Sequence, residues 1–367
     1  MSKLLILSSI LLAFFVVRTL VAVVNAVSRP YLPDSKDLSS GKVSILIPAR
    51  NEEENLPRLL DSILRLEYRD VEVWVCDDHS SDRTLAVLEE WKAKDHRIRY
   101  FRGEPLPPSW TGKNYACHQL AQKATGDYLL FLDADVTLAE SVLQKALAFF
   151  RKKRLALLTI FPRQLVPGIS ERITVPLMNW ALLNLLPLIA VLKLKNPLFA
   201  AGNGQFMLFD AQVYKQGCWH KKVKACPVED ILIVRRLKAA GQRVGVLLGN
   251  HDVFCRMYQS YWGSLRGFSR NVHEFFLGSR LLMVLFWISL LATPVAIFTC
   301  WAWSGLLLYL LLFIVNRLAV SWASREKLGM SLLIHPLHIL FFTHLIYANI
   351  WLRINKNGTW KDRTIVV

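Results

Sequence analysis

The sequence has no closely spaced cysteine pair. Its six cysteines lie at positions 76, 117, 218, 226, 255 and 300 and form no CxxC motif. Structural zinc sites and the disulfide frameworks of small secreted domains depend on such pairs. Reduced thiols in a cytosolic compartment are therefore the simpler interpretation.

The chain also lacks the short motifs of several enzyme classes. Lys113 lies in WTGKN, but Pro107 stands where a phosphate-binding P-loop needs its earlier glycine. His273 and Glu274 do not extend to HExxH, which excludes the corresponding zinc proteases. Neither GxSxG nor a cysteine–histidine spacing typical of hydrolases is present.

Acidic residues are scarce relative to basic ones. The 367 residues include 45 Lys and Arg but only 28 Asp and Glu, which gives a formal net charge of +17. Such a balance suits nucleic acid or an anionic membrane surface. The chain is also 53% hydrophobic, with a mean hydropathy of +0.30, which is too apolar for an ordinary soluble domain. We therefore expect a membrane partner and no nucleic acid.

An apolar run near the start of the sequence is long enough to cross a bilayer. It covers residues 4–24, shows no obvious small-residue cleavage site, and contains Arg18, whose guanidinium can snorkel or face another helix. We expect residues 1–27 to form a retained membrane anchor. Lys3 is the only base before the run, whereas bases follow it at positions 29, 36 and 42. This asymmetry predicts that the domain after the anchor is cytoplasmic.

Residues 281–353 are apolar again and predict further membrane segments. The runs 281–302 and 304–322 are long enough to span, and the uncharged turn between them carries tryptophans that suit a membrane interface. The third run, 332–352, contains three histidines and a proline, which are costly in plain lipid. We expect this run to lie at the interface or to re-enter beside the active site, and a full span is the alternative.

Between these runs the pattern changes to alternating strands and helices. Apolar strands are predicted at 43–48, 71–78, 98–101, 128–132, 155–161 and 244–248, with helices at 53–66, 82–94, 113–124 and 227–241. This alternation is typical of an α/β domain with a parallel sheet and helices on both faces, which we assign to residues 41–275. Residues 172–198 are apolar but broken by prolines, and predict either helices lying on the membrane or a buried hydrophobic subdomain.

One predicted strand ends in two aspartates. Asp133 and Asp135 follow the apolar run 128–132 with one residue between them. Side chains at positions i and i+2 share a face of a strand, so the two carboxylates can meet at the edge of the sheet where ligands bind. Hard oxygen ligands favour Mg²⁺ or Mn²⁺, and such a cation can hold the diphosphate of a nucleotide-sugar. Two solvated turn aspartates are the alternative, because DxD alone is a weak motif.

Polar clusters at other element ends are expected near this pair. Arg50, Asn51 and Glu52 follow the first strand and suit contacts to a base and ribose. Asp78 ends the second strand and can accept a hydrogen bond from a nucleobase, although loop solvation or helix capping explains these residues equally well. Lys113 begins a helix, where it can meet a phosphate as a point charge or remain solvated.

A further pair of acids lies at the start of a predicted helix. Either Glu229 or Asp230 can act as a general base that takes a proton from an acceptor hydroxyl. Acids in a first helical turn also stabilise the helix dipole, which is the structural alternative. His251, in the loop GNHD, is a candidate third metal ligand, although a lone loop histidine is more often structural.

Taken together, the motifs resemble those of family 2 glycosyltransferases over residues 43–275. They are, in chain order, PARNEEENL (48–56), CDDHSSDRT (76–84), WTGKNYAC (110–117), DADV (133–136) and VED (228–230). WTGKNYAC and FCRMYQSYWGSLRGFSRN (254–271), with the flanking apolar runs, are most similar to membrane-bound carotenoid glycosyltransferases of the diaponeurosporenoate type and to hopanoid-associated enzymes.

This resemblance implies a GT-A fold, which is Rossmann-like, a nucleotide-sugar donor such as a UDP-sugar, a divalent metal, and inversion at the sugar C1. Carried over motif by motif, it implies donor contacts from Pro48, Ala49, Glu52, Asp78, Lys113 and Asp133. It also implies that Asp135 is the more direct metal ligand of the aspartate pair, and that Asp230, next to Glu229, is the base.

One departure from the family pattern bears on the product. Processive polysaccharide synthases carry QxxRW after the base, whereas LRGFSRN stands here, with Arg266 and Arg270 as candidate substrate contacts. We therefore expect transfer of a single sugar to a membrane lipid such as a carotenoid or another isoprenoid lipid. A glycan-extending synthase and a catalytically inactive membrane scaffold are the alternatives.

Overall fold

The structure is a computed structural model that describes residues 2–35, 40–355, 358–360 and 363–365. Lys36, one of the bases that follow the first apolar run, lies outside the described residues.

The strands build one large sheet and two small ones. They are β1 (Val43–Ala49), β2 (Val71–Asp77), β3 (Ile98–Arg102), β4 (Tyr128–Leu132), β5 (Val136–Leu138), β6 (Leu157–Phe161), β7 (Arg163–Gln164), β8 (Phe206–Asp210), β9 (Val244–Leu248), β10 (Val253–Cys255), β11 (Gly358–Trp360) and β12 (Arg363–Ile365). The large sheet has the order β3-β2-β1-β4-β8-β6-β9, and the small sheets have the orders β5-β10-β7 and β11-β12.

The helices cover the large sheet and form a separate apolar bundle. They are α1 (Ser2–Ser28), α2 (Leu56–Leu64), α3 (Thr84–Lys94), α4 (Gly112–Lys123), α5 (Val142–Lys153), α6 (Ile169–Thr174), α7 (Pro176–Leu185), α8 (Leu188–Lys193), α9 (Ala211–Gly217), α10 (Trp219–Lys222), α11 (Glu229–Ala239), α12 (Tyr261–Phe268), α13 (Arg280–Ser324) and α14 (Leu328–Asn355). A 3-10 helix at Val272–Phe276 joins α12 to α13.

The large sheet is mixed, which corrects the expectation of a parallel sheet. β1, β2, β3 and β4 run parallel to one another, and β6 runs parallel to β9, but β8 is antiparallel to both β4 and β6. The direction of β8 follows from the loop before it, where the Gln205 carbonyl accepts a hydrogen bond from the Asp133 amide (3.4 Å). Because β8 starts at the carboxyl edge of β4, it must run back through the sheet in the opposite direction.

Hydrophobic cores lie on both faces of the sheet, as the sequence predicts. Side chains alternate along a strand, so Ile45 and Ile47 of β1 pack on one face with α2 and α5, whereas Leu46 packs on the other with α4 and α11. Full burial of such a side chain contributes about 2 kcal/mol. This two-sided burial explains why the strands read as continuous apolar runs.

Within the part of the chain that the structure describes, three helices are long and apolar enough to cross a membrane: α1, α13 and α14. α13 is interrupted at Ala302, whose backbone angles (φ 48°, ψ −143°) are not helical. The halves 280–301 and 303–324 fold back on each other at this break. Thr293 of the first half and Phe313 of the second half accordingly line the same small cavity as Arg18. Each half is close to the length of about 20 residues that a span needs.

Arg18 faces other helices. Its guanidinium carbon lies 4.5 Å from the ring centre of Phe286 and 5.3 Å from that of Trp180. The side chain is only 4% exposed. Aromatic faces attract cations when water is excluded, so the aromatic rings around Arg18 lower the cost of a buried charge in the helix bundle.

The proline-broken segment is a buried hydrophobic subdomain at α7. Leu177, Trp180 and Leu183 of this helix belong to the same core as residues of α1, α13 and α14. The Asn25 amide donates to the Leu183 and Leu186 carbonyls (3.0 and 2.9 Å), and Asn316 donates to Asn184 (2.7 Å). α7 therefore joins the sheet domain to the apolar helices.

The last long helix, α14, stays beside the sheet domain along its length. Near its start, His338 Nε2 lies 2.9 Å from the Arg172 carbonyl of α6. Further along, His344 contacts the Tyr261 hydroxyl (3.0 Å), and the Asn349 amide donates to the Ser269 carbonyl (2.6 Å). The buried histidines thus face protein, which removes their cost in lipid.

The opposite face of α14 is exposed and apolar. Leu333, Leu340, Tyr347 and Ile354 are each at least 65% exposed. Their spacing of seven residues places them on one side of the helix. Such a stripe meets lipid both in a helix that lies in the membrane plane and in one that crosses the bilayer. The contacts of α14 with Arg172, Tyr261 and Ser269 of the sheet domain favour the first arrangement.

We predict that α14 lies in the membrane plane. Spin labels at positions 333, 340 and 347 of the full chain in lipid vesicles should then have similar, shallow depths, measured by collision with lipid-soluble and water-soluble relaxers. A crossing helix would separate the outer two positions by about 20 Å along its axis. The control positions 307, 311 and 318 on the second half of α13 should show a depth gradient. The exposed Cys218 and the partly exposed Cys226 and Cys300 are first replaced by serine. A gradient along α14 equal to that of α13 would contradict the prediction.

Candidate active site

The ends of β1, β2 and β4 meet around one polar cavity. It has a volume of about 360 Å³, and its lining includes Pro48, Ala49, Arg50, Asn51, Glu52, Asp78, Lys113, Asp133 and Asp135. The structure therefore brings together the three polar clusters that the sequence places at successive strand ends. Their meeting follows from the parallel register of β1 with β2 and β4.

Hydrogen bonds lock the first two loops of the cavity together. Arg50 Nη1 donates to the Asp78 carbonyl (2.6 Å), and the Asp78 amide donates to the Ala49 carbonyl (2.8 Å). Asn51 adopts a left-handed conformation (φ 53°), and its side-chain oxygen accepts from the Ser81 amide (2.8 Å). Asparagine tolerates this conformation better than most residues. The loops thus present a preformed wall to a ligand.

Lys113 is a partly buried ion-pair centre and not a freely solvated lysine. Its ammonium lies 2.7 Å from Asp133 Oδ1 and 3.0 Å from Glu229 Oε1. Thr111 Oγ1 caps the helix that carries it by accepting from the Asn114 amide. Burial disfavours the charge, but the two carboxylates outweigh it and hold the pKa of Lys113 well above its usual value. The side chain is therefore a fixed positive charge between the end of β4 and the start of α11.

Asp135 is the acid of the pair that has no basic partner in the described part of the chain. Both of its carboxylate oxygens lie 3.2 Å from Gln205 Nε2, which also donates to Cys255 Sγ (2.8 Å). Burial, and then the nearby charges of Asp133 and Glu52, raise the pKa of Asp135 to about 6. An acid that is crowded by other acids is one whose ionised form a cation would stabilise.

His251 and Arg266 are not brought to this cavity. His251 is exposed in the loop after β9, and neither His251 nor Arg266 lines the cavities around Asp133. The neighbouring Asp252 turns away to pair with Lys145 (3.0 Å). Within the described residues, no group of three or more His, Cys, Asp and Glu side chains forms a metal site. A metal at Asp133 and Asp135 would therefore need ligands from a bound substrate or water.

Asp230 lies in the first turn of α11, opposite the glycine-rich loop AAGNGQF (residues 200–206) that leads into β8. Its Oδ2 accepts from the Gly204 amide (3.0 Å), and its Oδ1 accepts from the Ile231 amide (2.8 Å). A Cβ at Gly204 would come within 2.7 Å of Lys113 Nζ and 3.0 Å of Glu229 Oε1. A side chain at Gly204 would therefore displace these two charged groups. At Gly202 a Cβ would come within 2.7 Å of the Asp230 carbonyl oxygen, so glycine at that position is what lets the loop approach the backbone of α11.

The environment of Asp230 suits a proton acceptor. Burial, and then the charge of Glu229, raise the pKa of Asp230 to about 7, while Lys113 partly opposes them. The group thus titrates near neutral pH, where general bases are most effective. Helix-dipole complementation alone does not explain a shift in this direction, because a helix N-terminus favours the ionised acid.

A second cavity of about 780 Å³ lies in front of Asp230. It shares Lys113, Asp133, Gln205, Met257 and Tyr258 with the first cavity, and Arg270 also lines it. Trp110 forms another wall, stacked on His118 at 5.2 Å between ring centres. The two cavities are therefore continuous around Asp133 and Lys113.

Sequence reasoning missed Gln205 and Tyr258 as site residues. Gln205 orients Asp135, and Tyr258 lines both cavities. A Cβ at Gly267 would come within 2.0 Å of the Tyr258 hydroxyl, so this glycine makes room for the ring. Gln205 lies in the glycine-rich loop AAGNGQF and Tyr258 lies in the segment 254–271, and both stretches stand out in the sequence. A glutamine and a tyrosine, however, have no chemistry that identifies them individually as site residues.

A third cavity is apolar and connects the site to the long helices. It has a volume of about 600 Å³ and is lined by Ile10 and Phe14 of α1, and by Leu282 and Leu285 of α13. We call it the apolar groove. Its inner end reaches Ile231, the residue after Asp230, and Phe275 lines both the groove and the second cavity.

Comparisons with known sequences identify the sheet domain. Residues 44–214 match the family model described as Glycosyl transferase family 2. The 4,4'-diaponeurosporenoate glycosyltransferase of Staphylococcus haemolyticus is 30% identical over 229 residues, which cover 59% of this chain and 57% of that protein. The beta-monoglucosyldiacylglycerol synthase of Trichormus variabilis is 31% identical over 114 residues, which cover 30% of this chain and 24% of that protein. The matches thus span little more than half of the first relative and about a quarter of the second.

Among solved structures, the mannosyltransferase PcManGT from Pyrobaculum calidifontis, in complex with GDP-Man and Mn²⁺, has a TM-score of 0.59. The match covers 95% of this chain and 99% of that chain at 15% sequence identity. The likeness shows a common fold of the GT-A type. Family model, motifs and fold agree, and residues 44–214 of this chain form a family 2 glycosyltransferase domain of GT-A fold.

Proposed function

We propose that the protein transfers a single sugar from a nucleotide-sugar to a membrane lipid, with inversion at the sugar C1. The observation that carries this proposal is the position of Asp230, which lines the larger polar cavity one residue before the apolar groove begins. Its carboxylate faces the polar side, and the next residue, Ile231, lines the apolar side. A polar donor and an apolar acceptor can therefore meet at one proton acceptor.

The donor occupies the cavity at the ends of β1, β2 and β4. Pro48, Ala49 and Glu52 line the nucleoside, and Asp78 accepts from the base. Lys113 faces the diphosphate and balances part of its charge, and the sugar extends toward Asp230 in the adjoining cavity. The resemblance of the motifs favours a UDP-sugar, whereas PcManGT was solved with GDP-Man, so both nucleotides belong in a donor screen.

A divalent cation fits beside Asp135. The crowding of Asp135 by Asp133 and Glu52 is relieved by positive charge, and carboxylate oxygens suit Mg²⁺ or Mn²⁺. Asp133 is the second ligand, and PcManGT was solved with Mn²⁺. When bound, such an ion supplies charge neutralisation for the departing diphosphate. His251 is not part of this proposed site.

The acceptor approaches along the apolar groove. Its hydrocarbon chain lies between α1 and α13, and its reactive oxygen passes Phe275 to reach Asp230. Asp230 takes the proton of that group while the oxygen forms a bond to the sugar C1. The bond between C1 and the phosphate oxygen breaks, and its electron pair leaves with the nucleoside diphosphate. Attack opposite to the leaving group inverts the configuration.

The groove favours a lipid over a growing glycan. A polysaccharide needs a polar path lined with hydrogen-bonding groups along its length, whereas apolar side chains such as Ile10, Phe14 and Leu285 make up most of the groove and Arg235 and Glu274 are its charged lining. The names of two relatives point the same way, because one refers to a diaponeurosporenoate and the other to a diacylglycerol. We further propose that the catalytic domain, residues 41–275, lies on the cytoplasmic side, where nucleotide-sugars are made.

Replacement of Asp230 tests the base. Asp230→Asn keeps an oxygen for the Gly204 amide but accepts no proton, so turnover should fall roughly 10²-fold or more. The dissociation constant of the donor should stay within about twofold. The wild-type rate should rise as the pH rises through about 7, because the protonated acid cannot act as a base, and the variant should lose this rise. An equal loss of donor affinity would show that Asp230 binds the donor instead.

Replacement of Asp135 tests the metal site without relying on turnover. Mn²⁺ binding to the full chain with a nucleoside diphosphate, followed by electron paramagnetic resonance, should be lost in Asp135→Asn. Affinity in the wild type should fall as the pH drops below about 6, because protons then compete for Asp135. Asp61→Asn removes an exposed carboxylate of α2 and should change nothing. Unaltered Mn²⁺ binding in Asp135→Asn would refute the assignment.

Obstruction of the groove tests the lipid acceptor. Leu285→Trp narrows the groove, so transfer to long-chain acceptors should fall at least about tenfold, as expected when a shaped apolar site is filled. Transfer to a short water-soluble alcohol and slow donor hydrolysis should remain. Leu291→Trp, on an exposed position of α13 outside the groove, is the matched control. Equal loss for short and long acceptors would place the lipid elsewhere.

A further inference from the structure

A cavity remote from Asp230 combines several basic side chains with an apolar floor. It has a volume of about 490 Å³ and lies between β7, α6, and the junction of α13 with α14. Five bases line it: Arg163, Arg172, Arg256, Arg325 and Lys327. Residues of the glycosyltransferase site are not among its lining. The proposed transfer reaction therefore assigns this cavity no task.

The positive charge of the cavity is only partly balanced. Arg256 pairs with Glu171 (2.9 Å), and Glu326 also lines the cavity, held by the Ser324 hydroxyl (2.9 Å). Arg163 and Lys327 have no carboxylate partner within the described residues. The first turn of α14 adds the positive end of a helix dipole next to Lys327. The cavity thus suits an anionic group.

Two buried acceptors in the cavity also have no partner. Gln164 Oε1 and His338 Nδ1 are inaccessible to solvent and make no hydrogen bond. Since His338 Nε2 lies 2.9 Å from a carbonyl oxygen, it donates there, and Nδ1 carries a free lone pair. Buried acceptors of this kind need a donor. Both residues line the cavity, so a ligand with hydroxyl groups beside its anionic centre would supply that donor once either side chain turns toward it.

The floor of the cavity and its surroundings are those of a membrane surface. Pro176, Met330 and Ile334 form apolar lining, and Met330 is partly exposed on the same helix as the apolar stripe of α14. At the rim, Arg325 lies 5.7 Å from the ring centre of the exposed Trp322. Tryptophan and arginine at the end of an apolar helix are typical of the headgroup level of a bilayer.

We propose that this cavity binds the headgroup of an anionic phospholipid that carries hydroxyl groups, of the phosphatidylglycerol class. The phosphate lies among Arg163, Arg172 and Lys327, because guanidinium groups bind phosphate through paired hydrogen bonds. The glycerol hydroxyls donate to Gln164 and His338, and an acyl chain follows the apolar floor along α14. Basic pockets next to membrane helices on the cytoplasmic side are known to hold such headgroups.

Native mass spectrometry of the full chain in detergent micelles tests the proposal. Dioleoyl phosphatidylglycerol should bind at one saturable site and raise the thermal unfolding temperature. Dioleoyl phosphatidylcholine, which has no net charge and no hydroxyl donor, should do neither at the same concentration. Free glycerol 3-phosphate should bind far more weakly, because it lacks the chain. Equal binding of phosphatidylcholine would overturn the proposal, and equal binding of glycerol 3-phosphate would show a phosphate site without a lipid.

Variants locate the site. The double variant Arg163→Gln, Lys327→Gln should weaken phosphatidylglycerol binding roughly thirtyfold, since each base near a membrane surface contributes about fivefold. Arg151→Gln, Lys152→Gln removes the same charge from exposed positions of α5 and should bind as the wild type does. Ile334→Trp fills the floor without changing charge and should also abolish binding. Wild-type affinity in both the double variant and Ile334→Trp would overturn the proposal, whatever their unfolding temperatures.

Discussion

The buried contact of Lys113 with Asp133 and Glu229 is the interaction on which the rest of the site depends. It ties the end of β4 to the start of α11, two elements that are about a hundred residues apart in the sequence. A charged side chain that is shielded from water is costly unless a group of opposite charge lies next to it. Loss of the lysine would leave two acids together, while loss of one acid would leave the lysine tied to only one of the two elements. The cluster therefore fixes where Asp135 and Asp230 stand relative to each other.

Around this contact, the fold separates polar from apolar chemistry by a single turn of α11. Glu229 and Asp230 face the charged cluster, and Ile231 faces the groove between α1 and α13. The glycine-rich loop before β8 closes the gap, because Gly202 allows backbone contact with Asp230 of α11 and Gly204 leaves room for the Lys113 ammonium. The antiparallel entry of β8 is part of the same arrangement, since it brings that loop to the carboxyl edge of β4.

Much of this could be predicted from the sequence, and the misses have physical causes. Apolar runs and their polar ends gave β1, β2 and β4 and the meeting of Asp78, Asp133 and Asp135, because parallel strands share an edge. The direction of β8 depends on a loop that no periodicity encodes. His251 looked like a metal ligand by residue type, but Lys145 draws the neighbouring Asp252 away from the site. Gln205 acts only through its contact with Asp135, which is a property of the fold.

Under the proposed function, the apolar stripe of α14 has a consequence for which lipids can react. If the stripe rests on the bilayer while α1 and the halves of α13 enter it, the domain cannot rise or sink, and Asp230 stays at a constant height. The distance between the reactive oxygen of a lipid and the hydrocarbon boundary then decides whether that oxygen reaches Asp230. Chain length beyond the groove becomes irrelevant. Lipids of unrelated carbon skeletons are equivalent when they present that oxygen at the same level.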